Sequence, residues 1–418
     1  MNKAIINPVA ARVAQRCDLL ALRSDRSDYL TRLFCSPAMK LAHQDLSQWM
    51  TDAGLTPHLD ALGNLIGKPE AEDPQRPVLL IGSHLDTVVN AGKFDGMLGV
   101  LLGLGVVETI KKLGIELPFD IHVIAFSEEE GVRFGLPFIG SAGIAGVFDP
   151  ADFNRLDAEG ISMADALINF GCKPQEYESV SYCQRPVIGF IEAHLEQAVR
   201  LQESNQPVAA VAAIAGQTRA TIFLEGVAGH AGTVPHDRRR DALAAAAKLI
   251  LDIEQLGQTT KGLFATVGSI TSHPNLSNVI SNLTELSLDL RHAQNEVREY
   301  SLKTIELMIM ELKKTRNVVG RITSQRDSPS VPMDPTLTKH LKSAIASSGG
   351  ISDTLVSGAG HDAMVIAGIA PTSMLFVRCK DGVSHHPDEY VSPEDIAVAL
   401  DVMVGAVKSL TASLDANK

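Results

Sequence analysis

Four short stretches of this 418-residue chain carry histidines and carboxylates in patterns that suit a metal centre. "IGSHLDT" offers His84 and Asp86, and "FDGMLGV" follows it with Asp95. "AFSEEEG" offers Glu128, Glu129 and Glu130, "FIEAHLEQ" offers His194, and "GVSHHPDE" offers His385 and His386. Neutral imidazole and carboxylate oxygen suit Zn²⁺, Mn²⁺ or Co²⁺. Two ions account for this inventory better than one. A dinuclear hydrolase needs a carboxylate bridging ions roughly 3.5 to 4 Å apart, a water between them and a base for its proton. Asp95 can bridge, and His84 can serve one ion with its ring oriented by Asp86. Of Glu129 and Glu130, one can bind metal while the other acts as general base. His194 and His385 would complete the two ions.

Taken singly, each stretch has a plainer reading. A lone His-x-Asp is more often surface polarity, "SEEEG" a solvated loop, and His385-His386 an exposed turn before Pro387. What gives them weight together is their order and their placement, each at the end of an expected strand. In open α/β sheets, functional groups gather at the carboxyl ends of strands.

The elements that must do this positioning follow from the hydrophobic pattern. "PVLLIGSHLDT" reads as a strand, "GMLGVLLGLGVVETIKKLG" as a helix and "FDIHVIAFSEEEG" as a strand. That alternation predicts an α/β layer with a mainly parallel sheet flanked by helices. Upstream, Leu30 to Gly54 has helical spacing and "TPHLDALGNLIGKP" reads as a strand or hairpin. "PVIGFIEAHLEQAVRLQES" reads as a strand running into a helix. After Pro207, "VAAVAAIAGQTRATIFLEGVAGHAG" reads as paired strands. Two strands and a helix, repeated, describe a smaller α+β two-layer sandwich. It is placed at 214–330, inserted into a discontinuous catalytic domain at 1–213 and 331–418, with "SQRDSPSVPMD" as a hinge-like linker.

Gross composition narrows the functional class. With 49 acidic against 37 basic residues the net charge is -12, which argues against a nucleic-acid partner. No run approaches roughly 18 uninterrupted apolar residues and the N-terminus lacks an apolar signal core, so no membrane role and a cytoplasmic location are expected. Five scattered cysteines without a CxxC pair predict reduced thiols and neither a disulfide framework nor a zinc ribbon.

Together, "GSHLDTV", "FDGMLGV", "EEEGVRF", "EAHLEQ", "GHAGTVP", "SGAGHDAM" and "GVSHHPDEY" resemble the amidase branch of the dinuclear metallopeptidases related to carboxypeptidase G2 and aminoacylase. That branch holds allantoate amidohydrolases, N-carbamoyl-L-amino acid hydrolases and β-ureidopropionases. The resemblance runs from about Arg23 to the last helix. It implies His84, Asp95, Glu130, His194 and His385 as metal ligands with Asp95 bridging, Glu129 as general base and Asp86 as the orienting carboxylate. It further implies Gln217, Asn278, Arg291 and Gly358 as substrate contacts, and His230 as a donor to the reacting carbonyl of a neighbouring subunit. Ala198, Ser281 and His386 depart from the usual pattern, and none of them replaces a ligand.

The resemblance implies a homodimer with two divalent ions per subunit, Mn²⁺ or Zn²⁺, with Co²⁺ a further candidate. The expected reaction is hydrolysis of a ureido group on a small anionic substrate. Allantoate is favoured because "GQTR", "GHAGTVP" and "MLFVRCKDGVSH" look closest to allantoate amidohydrolases. An N-carbamoyl-L-amino acid hydrolase is the alternative. A metal-dependent dipeptidase is more remote because of the "EAHLEQ" and "SGAGHDA" signatures, and a catalytically dead binding relative because the set of five ligands plus base is intact.

Overall fold

The computed structural model describes residues 3–71 and 73–416, which separate into two compact units. The larger comprises 1–212, 333–355 and 361–418, and the smaller comprises 213–332 and 356–360. The expected boundaries, 214 and 330, differ from these by one and two residues. Residues 356–360, expected in the larger unit, lie with the smaller one.

A nine-stranded sheet organises the larger unit. At its centre, four parallel strands run in the order Asp120–Phe126, Val78–His84, Val187–Leu195, Thr372–Val377. Val78–His84 is buried at every position, as expected of a parallel strand covered on both faces. The helix Met97–Lys112 follows it and is buried on nearly all sides. It packs on three of the parallel strands and against the helices Lys3–Ala21 and Pro393–Asp415. That last helix is long and apolar enough to span a membrane by composition, yet most of its apolar positions from Ile396 to Leu410 are buried in this unit.

From Val78–His84 the chain crosses to Asp120–Phe126 on one side and later returns to Val187–Leu195 on the other. Strand order therefore reverses between Val78–His84 and Val187–Leu195. A crevice outside the carboxyl ends of the strands is expected at such a switch point. His84 ends one of these strands and His194 is the penultimate residue of the other.

Several local readings change on contact with the structure. The helix expected from Leu30 begins only at Pro37, where Ser36 caps it by accepting from the Met39 N–H, and it closes on Gly54 at φ 92°. Val208–Ile214 and Gly216–Glu225 are not paired with each other. The first lies antiparallel to Thr372–Val377 in the large sheet, and the second is a central strand of the small one. After "HLEQ" the helix is a single turn, Arg200–Glu203.

In the smaller unit, a five-stranded sheet has the order Ile270–His273, Leu283–His292, Gly216–Glu225, Val319–Ser328, with Phe264–Thr266 also pairing Leu283–His292. Gly216–Glu225 and Leu283–His292 alternate strictly between buried and less buried residues. Ile222, Leu224, Leu286, Leu288 and Leu290 therefore form one face, packed against Leu249 and Ile253 of the helix Ala242–Thr259 and Ile305 and Ile309 of the helix Asn295–Arg316. Gln217, Arg219, Asp289 and Arg291 fall on the other face.

Candidate metal centre

The larger unit brings His84, Asp95, Glu129, Glu130, His194 and His385 together at the carboxyl ends of its parallel strands. Three ligand-type groups overlap there: His84 with Asp95 and His194, His84 with Glu129 and Glu130, and Asp95 with Glu130 and His385. Sharing of Asp95 between the first and third is what a bridging carboxylate requires. His84, Asp95 and His194 are at most 3% exposed, whereas His385 opens to solvent.

Backbone geometry at the site is unusual and local. Glu128, Gln197 and His385 each follow a strand or loop leading to the centre and each has positive φ, 49°, 56° and 55°. Such conformations cost on the order of 1–3 kcal/mol each for a residue with a side chain and cluster at functional sites. Gly96, at φ 67°, lies so close to the His84 ring that an added Cβ would sit 2.4 Å from Cε1. The glycine in "FDG" thus lets the chain turn Asp95 toward the histidines and still start the helix at Met97.

The fit to a cation can be read from the imidazoles. His84 Nδ1 lies 2.9 Å from the Asp86 carbonyl oxygen and His194 Nδ1 lies 3.2 Å from that of Leu195. A carbonyl only accepts, so both rings carry their proton on Nδ1 and expose a bare Nε2. The two Nε2 atoms face each other across 3.3 Å, and His194 Nε2 is 3.4 Å from Asp95 Oδ1. Two nitrogen lone pairs and a carboxylate converging on one point repel each other unless a cation lies among them. Tetrahedral ligation at about 2.0–2.1 Å places neighbouring nitrogens about 3.3 Å apart. On the other side of Asp95, His385 Nε2 is 3.1 Å from Oδ2 and 3.7 Å from Glu130 Oε1. The donor set suits two borderline-to-hard divalent ions.

Electrostatics follow the same layout. Burial opposes ionisation of Asp95, but the His385 hydrogen bond, with the imidazoles around it, outweighs burial and holds its carboxyl below the usual range. The Asp95 hydrogen bond and the Glu130 charge raise His385 to about 9 against the effect of burial. Burial, then the charges of Asp95 and Asp86, raise Glu130 to about 8. Glu129 is pushed well above the ordinary carboxyl value by burial and by Asp362, Glu130, Asp86 and Glu192. A buried carboxyl with raised proton affinity beside a metal-type cluster suits a general base.

Asp86, expected to orient His84, touches it through two groups and also reaches the neighbouring strand end. Its carboxylate accepts from the backbone N–H groups of Glu129 at 3.1 Å and Glu130 at 3.0 Å, and lies 3.7 Å from His84 Nδ1. Its main-chain carbonyl also meets His84 Nδ1 at 2.9 Å, so Asp86 ties the ring to the strand end that carries Glu129 and Glu130.

Several contributors were not singled out from sequence. Glu389 accepts from the Phe94 and Asp95 N–H groups at 2.8 and 3.0 Å, and Ser384 donates to its other oxygen. Gln197 donates to Asp95 Oδ1 at 3.2 Å. Glu192 accepts from Ser83 and the Ala363 N–H, and His361 packs against the His194 ring at 4.4 Å. All four lie inside quoted motifs or within two residues of a proposed ligand. Their signal was proximity along the chain, which says nothing of direction. Glu128 stays apart from the ligand groups, accepting from the Arg133 N–H at 2.8 Å. His386 Nδ1 takes up the Asp388 N–H at 3.2 Å.

The expected substrate contacts lie in the smaller unit. Gln217 and Arg291 donate to Asp289, Gly358 accepts from Arg291 through its carbonyl at 2.6 Å, and His230 and Asn278 are exposed. His230 pairs across two short strands with Val279, and its Nδ1 accepts from the Gly232 N–H.

Comparison with known proteins places these features in a family. The description of Peptidase family M20/M25/M40 matches residues 80–409. Allantoate deiminase of Arabidopsis thaliana is 37% identical over 90% of this chain and 78% of its own length. N-carbamoyl-L-amino acid amidohydrolase of Geobacillus stearothermophilus is 39% identical over 91% of this chain and 93% of its own. A crystal structure of a hydantoinase/carbamoylase family amidase from Burkholderia multivorans superposes with a TM-score of 0.89 at 30% identity, covering 96% of this chain and 98% of that one. The chain belongs to the M20/M25/M40 peptidase family, as a hydrolase acting on amide bonds, and carries a His/Asp/Glu cluster that could hold metal.

Proposed function

We propose that this enzyme hydrolyses the ureido group of a small carboxylate, with allantoate as its substrate. The observation that carries the reading is the overlap of two ligand groups on Asp95, with Glu129 buried beside them. His84, Asp95, Glu130, His194 and His385 would hold two divalent ions, Mn²⁺ or Zn²⁺, which would supply Lewis acidity toward the ureido carbonyl and the attacking water. Glu129 takes the proton of the attacking water and delivers it to the departing nitrogen. His230 steadies the oxyanion across a homodimer, and Arg291 takes the substrate carboxylate. Loss of ammonia leaves a carbamate, which releases carbon dioxide.

Support for allantoate comes from the resemblance of "GQTR" and "MLFVRCKDGVSH" and from the similarity to a plant allantoate deiminase. A second reading, an N-carbamoyl-L-amino acid hydrolase, is favoured by the bacterial relative at 39% identity. Both readings use the same ligands and base. The cytoplasm is the proposed location, in keeping with free cysteines. Ammonia release by Mn²⁺-loaded protein, offered allantoate and a panel of N-carbamoyl-L-amino acids, separates them. Turnover confined to allantoate is the expected result, and preference for a carbamoyl amino acid would overturn the substrate while keeping the chemistry.

A further inference from the structure

Arg291 does not stand alone on the outer face of the small sheet. Cα register pairs it with Gln217 on the neighbouring strand, and pairs Asp289 with Arg219. Since side chains alternate along a strand, these four point to the same side. Asp289 sits at the centre of the group. Its Oδ1 accepts from Arg291 Nε at 2.9 Å, and its Oδ2 from Arg291 Nη2 at 3.0 Å, Gln217 Nε2 at 2.9 Å and Arg219 Nε at 3.3 Å. Arg291 Nη1 donates to the Gly358 carbonyl at 2.6 Å.

Counting donors shows what this leaves. A guanidinium has five N–H groups in a fixed plane. Asp289 takes two along the Nε edge and Gly358 takes one, so one N–H remains on Nη1 and one on Nη2. That pair is what a carboxylate engages bidentately. The cluster borders a cavity of about 640 Å³ that Phe264, Thr266 and Ser287 also line, room for a small substrate. Asp289 offsets part of the positive charge on a face that carries Arg291, Arg219 and, paired with Arg219 across the next strand, Arg326, so the face stays attractive to a carboxylate.

We propose that Asp289 is a positioning residue for substrate recognition: it fixes the plane of Arg291, aims Gln217, and lowers the local positive charge, so that the site discriminates against a dicarboxylate more strongly than it would without it. The inference rests on the proposed carboxylate role of Arg291 but not on the identity of the bond cleaved. Without Asp289, Arg291 would lose the carboxylate that orients it, and the positive charge of Arg291, Arg219 and Arg326 would lose its offset. Attraction for anions would persist while the bidentate geometry was lost.

The test uses full-length protein and equilibrium titration with acetate and with malonate, so that it reads anion binding without turnover. Asp289→Asn is expected to weaken acetate by about tenfold, the scale of a charge-assisted hydrogen bond, while malonate binds as well as before or better. A merely structural role would weaken both anions equally. Asp289→Glu keeps the charge but displaces the carboxylate by one methylene, and is expected to weaken acetate with no gain for malonate. Equal loss for both anions in Asp289→Asn, or acetate binding unchanged in either variant, would overturn the proposal. Should Asp289→Asn not fold, Asp289→Glu decides alone. Wild-type protein that binds neither anion would also overturn it. Failure of the ureido reading instead appears as absent ammonia release with the acetate and malonate pattern intact.

Discussion

At the scale of single residues, the two imidazoles fixed as Nδ1–H tautomers place the strongest demand on the site. Their Nε2 lone pairs are held 3.3 Å apart by the strand ends that carry them. Gly96 maintains that spacing, so Gly96→Ala is expected to displace His84 and to strain a left-handed position. A misplacement of about 1 Å can cost about a hundredfold in rate. Activity and metal content should fall together, and Gly96→Ala protein retaining both would contradict the assignment. Glu129→Gln is expected to behave differently, losing about 10²- to 10⁴-fold in kcat with metal content unchanged. Kinetics and metal analysis on the same preparation distinguish the two variants.

Proton affinity adds a prediction at the same scale. In the absence of a cation, Glu130 and His385 hold protons into the neutral range, raised to about 8 and about 9. A metal ion needs both groups deprotonated, so loading must release protons and affinity must rise with pH. Titration with Mn²⁺ at pH 6, 7 and 8 should give progressively tighter binding, with acid release at the lower values. Affinity that did not change with pH would remove Glu130 and His385 from the ligand set.

At the scale of elements, alternation and spacing explain which parts could be read from sequence. Strand ends carrying "SHLD", "SEEE" and "EAHLEQ" were legible because a buried parallel strand leaves a continuous apolar run that stops where the polar ligands begin. The repeat of two strands and a helix likewise revealed the small sheet. Val208–Ile214 was misassigned because an apolar run does not say which sheet it joins. Its partner, Thr372–Val377, is more than a hundred residues away along the chain. The part played by Asp289 was hidden for a related reason: its two-residue spacing from Arg291 is ordinary, and cross-strand neighbours become visible only once register is known. The core of the small unit also yields a prediction. Leu249→Ala, at a fully buried position, should cost about 2–5 kcal/mol. Thermal or denaturant melting should register that loss, while metal content, set in the other unit, stays near the wild-type value.

At the scale of the whole molecule, the chain divides its labour. One compact unit gathers the clustered His, Asp and Glu side chains with Glu129 among them, and the other carries the arginine cluster and the exposed His230. This division is consistent with membership of a metallopeptidase family whose relatives act on amide bonds. The proposed homodimer predicts a sedimentation mass of twice 44.7 kDa. His230→Ala should then lower kcat with dimerisation unchanged, whereas a monomeric, fully active protein would contradict the cross-subunit role. The most direct test of the central claim is to count ions bound to metal-stripped protein during titration with Mn²⁺ while following ammonia release from allantoate and N-carbamoyl-L-amino acids. Two ions per chain, with turnover appearing as they load and absent in Glu129→Gln, is the predicted result. Full turnover by the metal-free protein, or two bound ions with no ureido hydrolysis, would contradict it.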